Sequence, residues 1–232
     1  MTYQTGPRIV TNGLVFCVDA ADANSYAGSG TTWNDLSGNG NNGTLTNGPT
    51  FNSANRGSIV FDGANDYVKI PYSSALIPSN ITVSAWINRK QAAYYAQVIR
   101  VPIDNISWNP PYSSYGVEYI GTSDTISFAL GFTDNTFSNI NVTVYGNNRW
   151  FYFVGTYDKN NVKVYIDGVL ATTTAETKTL YNSTADLYLG TINTSAQYLL
   201  NGNIAQVSIY NRALSASEVA QNYNATKGRY GF

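Results

Sequence analysis

Histidine is absent from the 232 residues. That absence removes Ser-His-Asp triads, imidazole acid–base work and His-ligated zinc or iron together. Cys17 is the one cysteine, so no internal disulfide can form. It lies in the apolar run 14–18, with no basic neighbour to activate a thiolate, and reads as a small buried core residue. Charge is also scarce: 12% of residues are charged and the net charge is −1. No basic field exists for nucleic acid or for an anionic membrane surface. The chain has no apolar stretch long enough to span a membrane. Residues 1–7 carry no basic-then-apolar leader, so a signal peptide is not expected.

What is abundant points to strands and turns. Aromatics make up 14% of the chain, with 19 Tyr, and there are 20 Gly. Tyr, Thr and Val favour strands, while Gly and Asn favour turns. Residues 81–87 (Ile-Thr-Val-Ser-Ala-Trp-Ile) alternate strictly and place Ile81, Val83, Ala85 and Ile87 on one face. Residues 58–63, 67–70, 97–100, 126–130, 140–145, 149–157, 185–190 and 202–211 read as further strands. Residues 161–170 read as a hairpin turning at Asp167-Gly168. About a dozen short strands with turn signals between them predict an all-β sandwich. One helix is expected, with Ser215 as N-cap and Glu218 completing a capping box, and Val219 and Tyr223 on its apolar face. The organisation is an N-terminal arm over 1–13, a domain over 14–224 and a C-terminal tail over 225–232.

Residues 33–45 hold three Gly and four Asn around one carboxylate, Asp35. Gly and Asn tolerate positive φ, so the segment is a series of tight turns. Two readings of Asp35 stand. Its carboxylate, with oxygens of the 38–42 loop including Asn39 and Asn41, has the ligand chemistry of a hard cation such as calcium. Alternatively, Asp35 caps neighbouring backbone amides as an Asx turn.

Three stretches together resemble the laminin-G-like, concanavalin A-like lectin–glucanase superfamily. They are Asp35-Leu36-Ser37-Gly38-Asn39-Gly40 with Phe61-Asp62-Gly63 and Asp66-Tyr67-Val68; residues 81–87 with 150–157 and 164–168; and residues 202–215 leading into Glu218. The resemblance implies a two-sheet antiparallel jelly-roll sandwich with one short C-terminal helix. It also implies a structural calcium at Asp35, answered by an acid in the late strand. Here that late position is Ala205, or Gln206 if the register slips, which weakens the site. The superfamily's glucanases set Glu, Asp and Glu at i, i+2 and i+4. The glutamates here are Glu118, Glu176 and Glu218, and none sits in that pattern, so no enzyme is expected. Towards the two ends of the chain, residues 9–15 and 225–231 resemble versions carried by bacteriophage, notably cyanophage, virion proteins.

The expected function is therefore a non-enzymatic virion module, either capsid decoration or a fibre or collar component, with its arms docking on neighbouring subunits. It would assemble in the host cytoplasm and act outside it, with virion proteins or further copies of itself as partners. The alternative is a carbohydrate-binding module that recognises host glycans through an aromatic loop over 108–119. Its candidate ligand-binding residues are Trp108, Tyr112, Tyr115 and Tyr119, because aromatic faces stack on sugar C–H faces.

Overall fold

The computed structural model describes residues 8–90, 95–103, 110–121, 124–144, 146–195 and 197–232. In chain order its strands are β1 (Leu14–Asp19), β2 (Thr32–Trp33), β3 (Gly43–Thr46), β4 (Thr50–Asn52), β5 (Ser58–Asp62), β6 (Tyr67–Ile70), β7 (Ile81–Arg89) and β8 (Tyr95–Pro102). They continue as β9 (Ser113–Ile120), β10 (Thr125–Gly131), β11 (Phe137–Thr143), β12 (Trp150–Tyr157), β13 (Asn161–Ile166), β14 (Val169–Ala175), β15 (Leu187–Leu189) and β16 (Asn201–Tyr210). One α-helix, α1 (Ala216–Thr226), follows. Two eight-stranded antiparallel sheets result. Sheet A runs β14-β13-β12-β7-β16-β5-β4, with β1 also on β16; sheet B runs β11-β10-β9-β8-β15-β6-β3-β2.

The alternation of β7 decides how the sheets meet. Ile81, Val83, Ala85 and Ile87 point between the sheets into a core that also holds Phe128, Phe153 and Val207. At Gly155 of β12 a Cβ would lie 2.5 Å from the Phe128 ring, so the absent side chain lets the two sheets approach there. The opposite face of β7 is not solvated. Trp86 belongs to a second apolar cluster with Tyr152, Tyr210, Leu214 and Val219, which α1 covers. Ser215 and Glu218 form the expected capping box. Arg212 pairs with Glu218 at 2.6 Å. The Arg212 hydrogen bond, helped by the Ser215 backbone N–H, holds the Glu218 carboxyl down to about 2.

Both chain ends lie against the domain over their described parts. The tail, given as 225–232 and read as a docking arm, folds back on the domain. Tyr230 stacks on Trp86 with centroids 4.0 Å apart, and Trp86 Nε1 donates to Thr226 Oγ1 at 2.8 Å. Arg229 Nη1 meets both oxygens of buried Asp19, at 2.8 and 2.6 Å. The N-terminal arm is pinned likewise over its described part. Val10 N donates to Asn222 Oδ1, Tyr210 Oη donates to Val10 O, and Gln221 Nε2 donates to Arg8 O. Residues 1–7 of that arm lie outside the described residues.

The Asp35 segment is also closed on itself. Oδ1 accepts from Cys17 N and Ser37 N, both at 2.9 Å; Oδ2 accepts from Ser37 Oγ at 2.7 Å and Asn41 N at 3.0 Å. Asn39 and Asn41 both aim their amide nitrogens at Val15 O. A cation entering here would meet N–H and O–H hydrogens in place of oxygen lone pairs. Ala205 is fully buried and belongs to the second apolar cluster. This donor set does not fit a calcium ion; it fits the Asx-type cap that ties the turn to β1. Cys17 beside it is buried as expected, and burial pushes its thiol up to about 12.

Three outcomes follow for stability. Arg229→Ala, which leaves Asp19 buried without its cation, lowers the urea-derived stability by about 3 kcal/mol. Glu218 has a depressed folded pKa, so its contribution is complete above about 4.5 and is lost as pH falls toward about 2. Thermal melts from pH 5 to pH 2 therefore show a shallower acid loss for Glu218→Gln than for wild type. Chelator leaves the Tm unchanged, whereas Asp35→Ala lowers stability by about 1–3 kcal/mol by orphaning the amides it caps.

Candidate functional site

On sheet A the region around Trp86 is covered by α1 and the tail; on the outer face of sheet B lies a cleft. Strand β9 builds its floor. Tyr115, Val117 and Tyr119 alternate into the core, and Ser114, Gly116 and Glu118 face outward. In β8, Gln97 and Arg100 stand three residues apart, which would put them on opposite faces of a regular strand. A register shift between Gln97 and Ile99 changes that. The bulge turns both side chains to the outer face, where Gln97 pairs with Glu118 and Arg100 pairs with Gly116 across the ladder. A Cβ on Gly116 would sit 2.9 Å from Ile99 O and 3.1 Å from Arg100 Cδ, so the absent side chain leaves room for the arginine stem on the floor.

The result is a buried polar cluster. Arg100 Nη1 lies 2.9 Å from Glu118 Oε2, and Gln97 Nε2 donates to the same oxygen. Arg100 and Glu118 are only 4% and 7% exposed at their side chains, so the pair is held away from bulk water. Burial lowers the guanidinium pKa, partly offset by Glu118, but arginine stays charged. Arg100 Nε is buried without a hydrogen-bond partner. A buried unpaired donor is costly and calls for an explanation.

Aromatic walls rise around this floor. Tyr95, Tyr112, Phe137 and Tyr198 line a cavity of about 320 Å³, with Pro102, Asn139 and Ile192 completing it. Tyr112 packs edge-on against Phe137 at 5.2 Å, and Tyr95 edge-on against Tyr198 at 5.6 Å. The Arg100 guanidinium lies 5.8 Å from the Phe137 centroid. Two of the four walls hold left-handed backbone, Tyr112 at φ 56° and Tyr198 at φ 54°. Such a conformation is costly for a large side chain and concentrates at sites where position matters.

The four aromatic residues predicted from sequence fare differently. Tyr112 lines the cleft. Tyr115 and Tyr119 do not reach it: both are 1% exposed, because the stretch expected as a loop is strand β9 and they occupy its core-facing positions. Tyr115 Oη donates to Leu76 O, and Arg89 stacks 4.3 Å over Tyr119. Trp108 lies outside the described residues. Asp35, Asn39 and Asn41 line no part of the cavity. Among the described residues, no three acidic or thiol side chains gather to hold a metal. Gln97, Arg100, Glu118, Phe137 and Tyr198 escaped the sequence reading.

The fold has known counterparts. The receptor-binding domain of botulinum neurotoxin type G superposes with a TM-score of 0.69 at 19% identity, over 91% of this chain and 51% of that one. The binding domain of botulinum neurotoxin DC, solved with rat synaptotagmin II, gives 0.71 at 14% identity, over 94% and 52%. Trypanosoma rangeli sialidase, solved with sialic acid, gives 0.71 at 13% identity, over 95% and 34%. The chain thus spans about half the length of the toxin domains, and at these identities the likeness is one of fold. No curated protein matches the sequence. Residues 62–220 match the family described as the Concanavalin A-like lectin/glucanases superfamily. A match over that share of the chain, on a two-sheet antiparallel sandwich with one C-terminal helix, makes this protein a member of that superfamily.

Proposed function

We propose that the protein is a non-enzymatic adhesion module that holds a carbohydrate in the outer cleft of sheet B. The observation that carries this reading is the combination in one cavity: four aromatic walls around a buried Arg100–Glu118–Gln97 cluster. Aromatic faces suit sugar C–H faces, and the cluster offers both donors and acceptors for hydroxyls. Glu118 is the one acid among the described lining residues of this cavity, and it is committed to Arg100. Glycoside hydrolysis needs a second carboxylate across the scissile bond. Related folds that carry binding functions support the same direction: one botulinum neurotoxin DC binding domain was solved with SialylT, and another with synaptotagmin II.

The setting we propose is a bacteriophage particle, on the resemblance of the chain ends to virion proteins. The tail contributes by covering Trp86 on sheet A, and adhesion falls to sheet B. Mass spectrometry of purified particles finds the protein if this setting is right, and its absence from them refutes it.

A mixed glycan array tests the binding reading directly. Wild type retains at least one glycan, and Tyr112→Ala and Tyr198→Ala each weaken that binding about tenfold, the loss of one aromatic contact. Wild type that retains no glycan sinks the reading, as does release of new reducing ends from a bound glycan.

A further inference from the structure

A second hollow of about 240 Å³ adjoins the first. Pro102 lines both. Ile192 closes the first, and its neighbours Asn193 and Thr194 line the second. Tyr188, in the second, faces Arg100 across the β15–β8 ladder. The two hollows are therefore consecutive stations along one groove that crosses the strands. Each volume suits a single sugar ring.

The groove's charges are already spent. Among the described lining residues of both hollows, Arg100 is the one cation, and Glu118 and Asp186 are the acids. Arg100 faces Glu118 at 2.9 Å. Asp186 faces Lys69 at 2.9 Å and accepts from Tyr72 N at 2.8 Å. A ligand carboxylate would meet no unneutralised cation here. Neutral hydroxyls instead find acceptors on Glu118 and Asp186.

Resting on the carbohydrate-binding reading above, we infer that the ligand is a neutral oligosaccharide of at least two sugar units laid across both hollows, and not an acidic sugar. This departs from the sialic acid and SialylT bound in the solved structures of similar fold.

The test is an array printed with gluco-, galacto-, manno- and N-acetylglucosamine oligomers of one to six units, beside sialylated and uronic-acid oligomers of the same lengths. For the neutral series that binds, titration calorimetry follows with each length. The expected result is at least tenfold tighter binding of the dimer than of its monosaccharide, with the acidic oligomers weaker than the neutral ones. Thr194→Trp, at an exposed position in the second hollow, brings the dimer down to the affinity of the monosaccharide. Tyr188→Ala does the same, and the thermal melt of each variant certifies its fold. Equal binding of monosaccharide and dimer, or preference for an acidic oligomer, overturns this inference and leaves the carbohydrate reading standing. Wild type that binds nothing on either array overturns both.

Discussion

The packing of Trp86 is the constraint on which the rest of this structure depends. A sandwich needs one buried face per sheet, but β7 is buried on both. Its outward tryptophan must be covered, and the chain does this with its own ends. Helix α1 lies over it, Tyr230 stacks on it, and Arg229 fastens the tail to Asp19 of β1. Burying a tryptophan contributes about 3–5 kcal/mol by the cost of its removal, a large share of ordinary domain stability. That coverage fixes the division of labour between the sheets. Sheet A is covered around Trp86, and sheet B keeps a cleft on its outer face.

On that outer face the polar residues follow a different logic. A buried ion pair is weak evidence for stability, because desolvation offsets the attraction. Arg100 and Glu118 sit at the bottom of a cleft rimmed by aromatics, two of them in costly backbone conformations. An apolar floor would have been more economical for folding alone. The arrangement makes sense as a binding surface held rigid by the ladder beneath it. The Asp35 turn shows the contrast: its carboxylate is saturated by local donors, and its work is to hold a loop on β1.

Much of the fold was legible in the sequence where alternation and turn chemistry agree. Residues 67–70 form β6 as expected, the hairpin turns at Asp167-Gly168 between β13 and β14, and the Ser215–Glu218 capping box starts α1. The short strands β2, β3 and β4 were hidden in a turn-rich segment, since two to four residues carry too little periodicity to stand out. Strand β9 was readable in principle: Tyr115, Val117 and Tyr119 alternate, but Ser114 and Gly116 between them suggest a loop. The site was less accessible. Gln97 and Arg100 share a face only because of a bulge, and Glu118 joins them only through the β8–β9 register. Neither follows from local spacing.

The central claim is that the outer face of sheet B is the ligand-binding surface. Amide hydrogen exchange, with and without a saturating neutral oligosaccharide taken from the glycan screen, tests it most directly. Slowed exchange over residues 95–102, 112–118 and 184–194, with 216–230 and 33–45 unchanged, is the predicted result. Protection on α1 and the tail, or at the Asp35 turn, with none on β8 and β9, would contradict it.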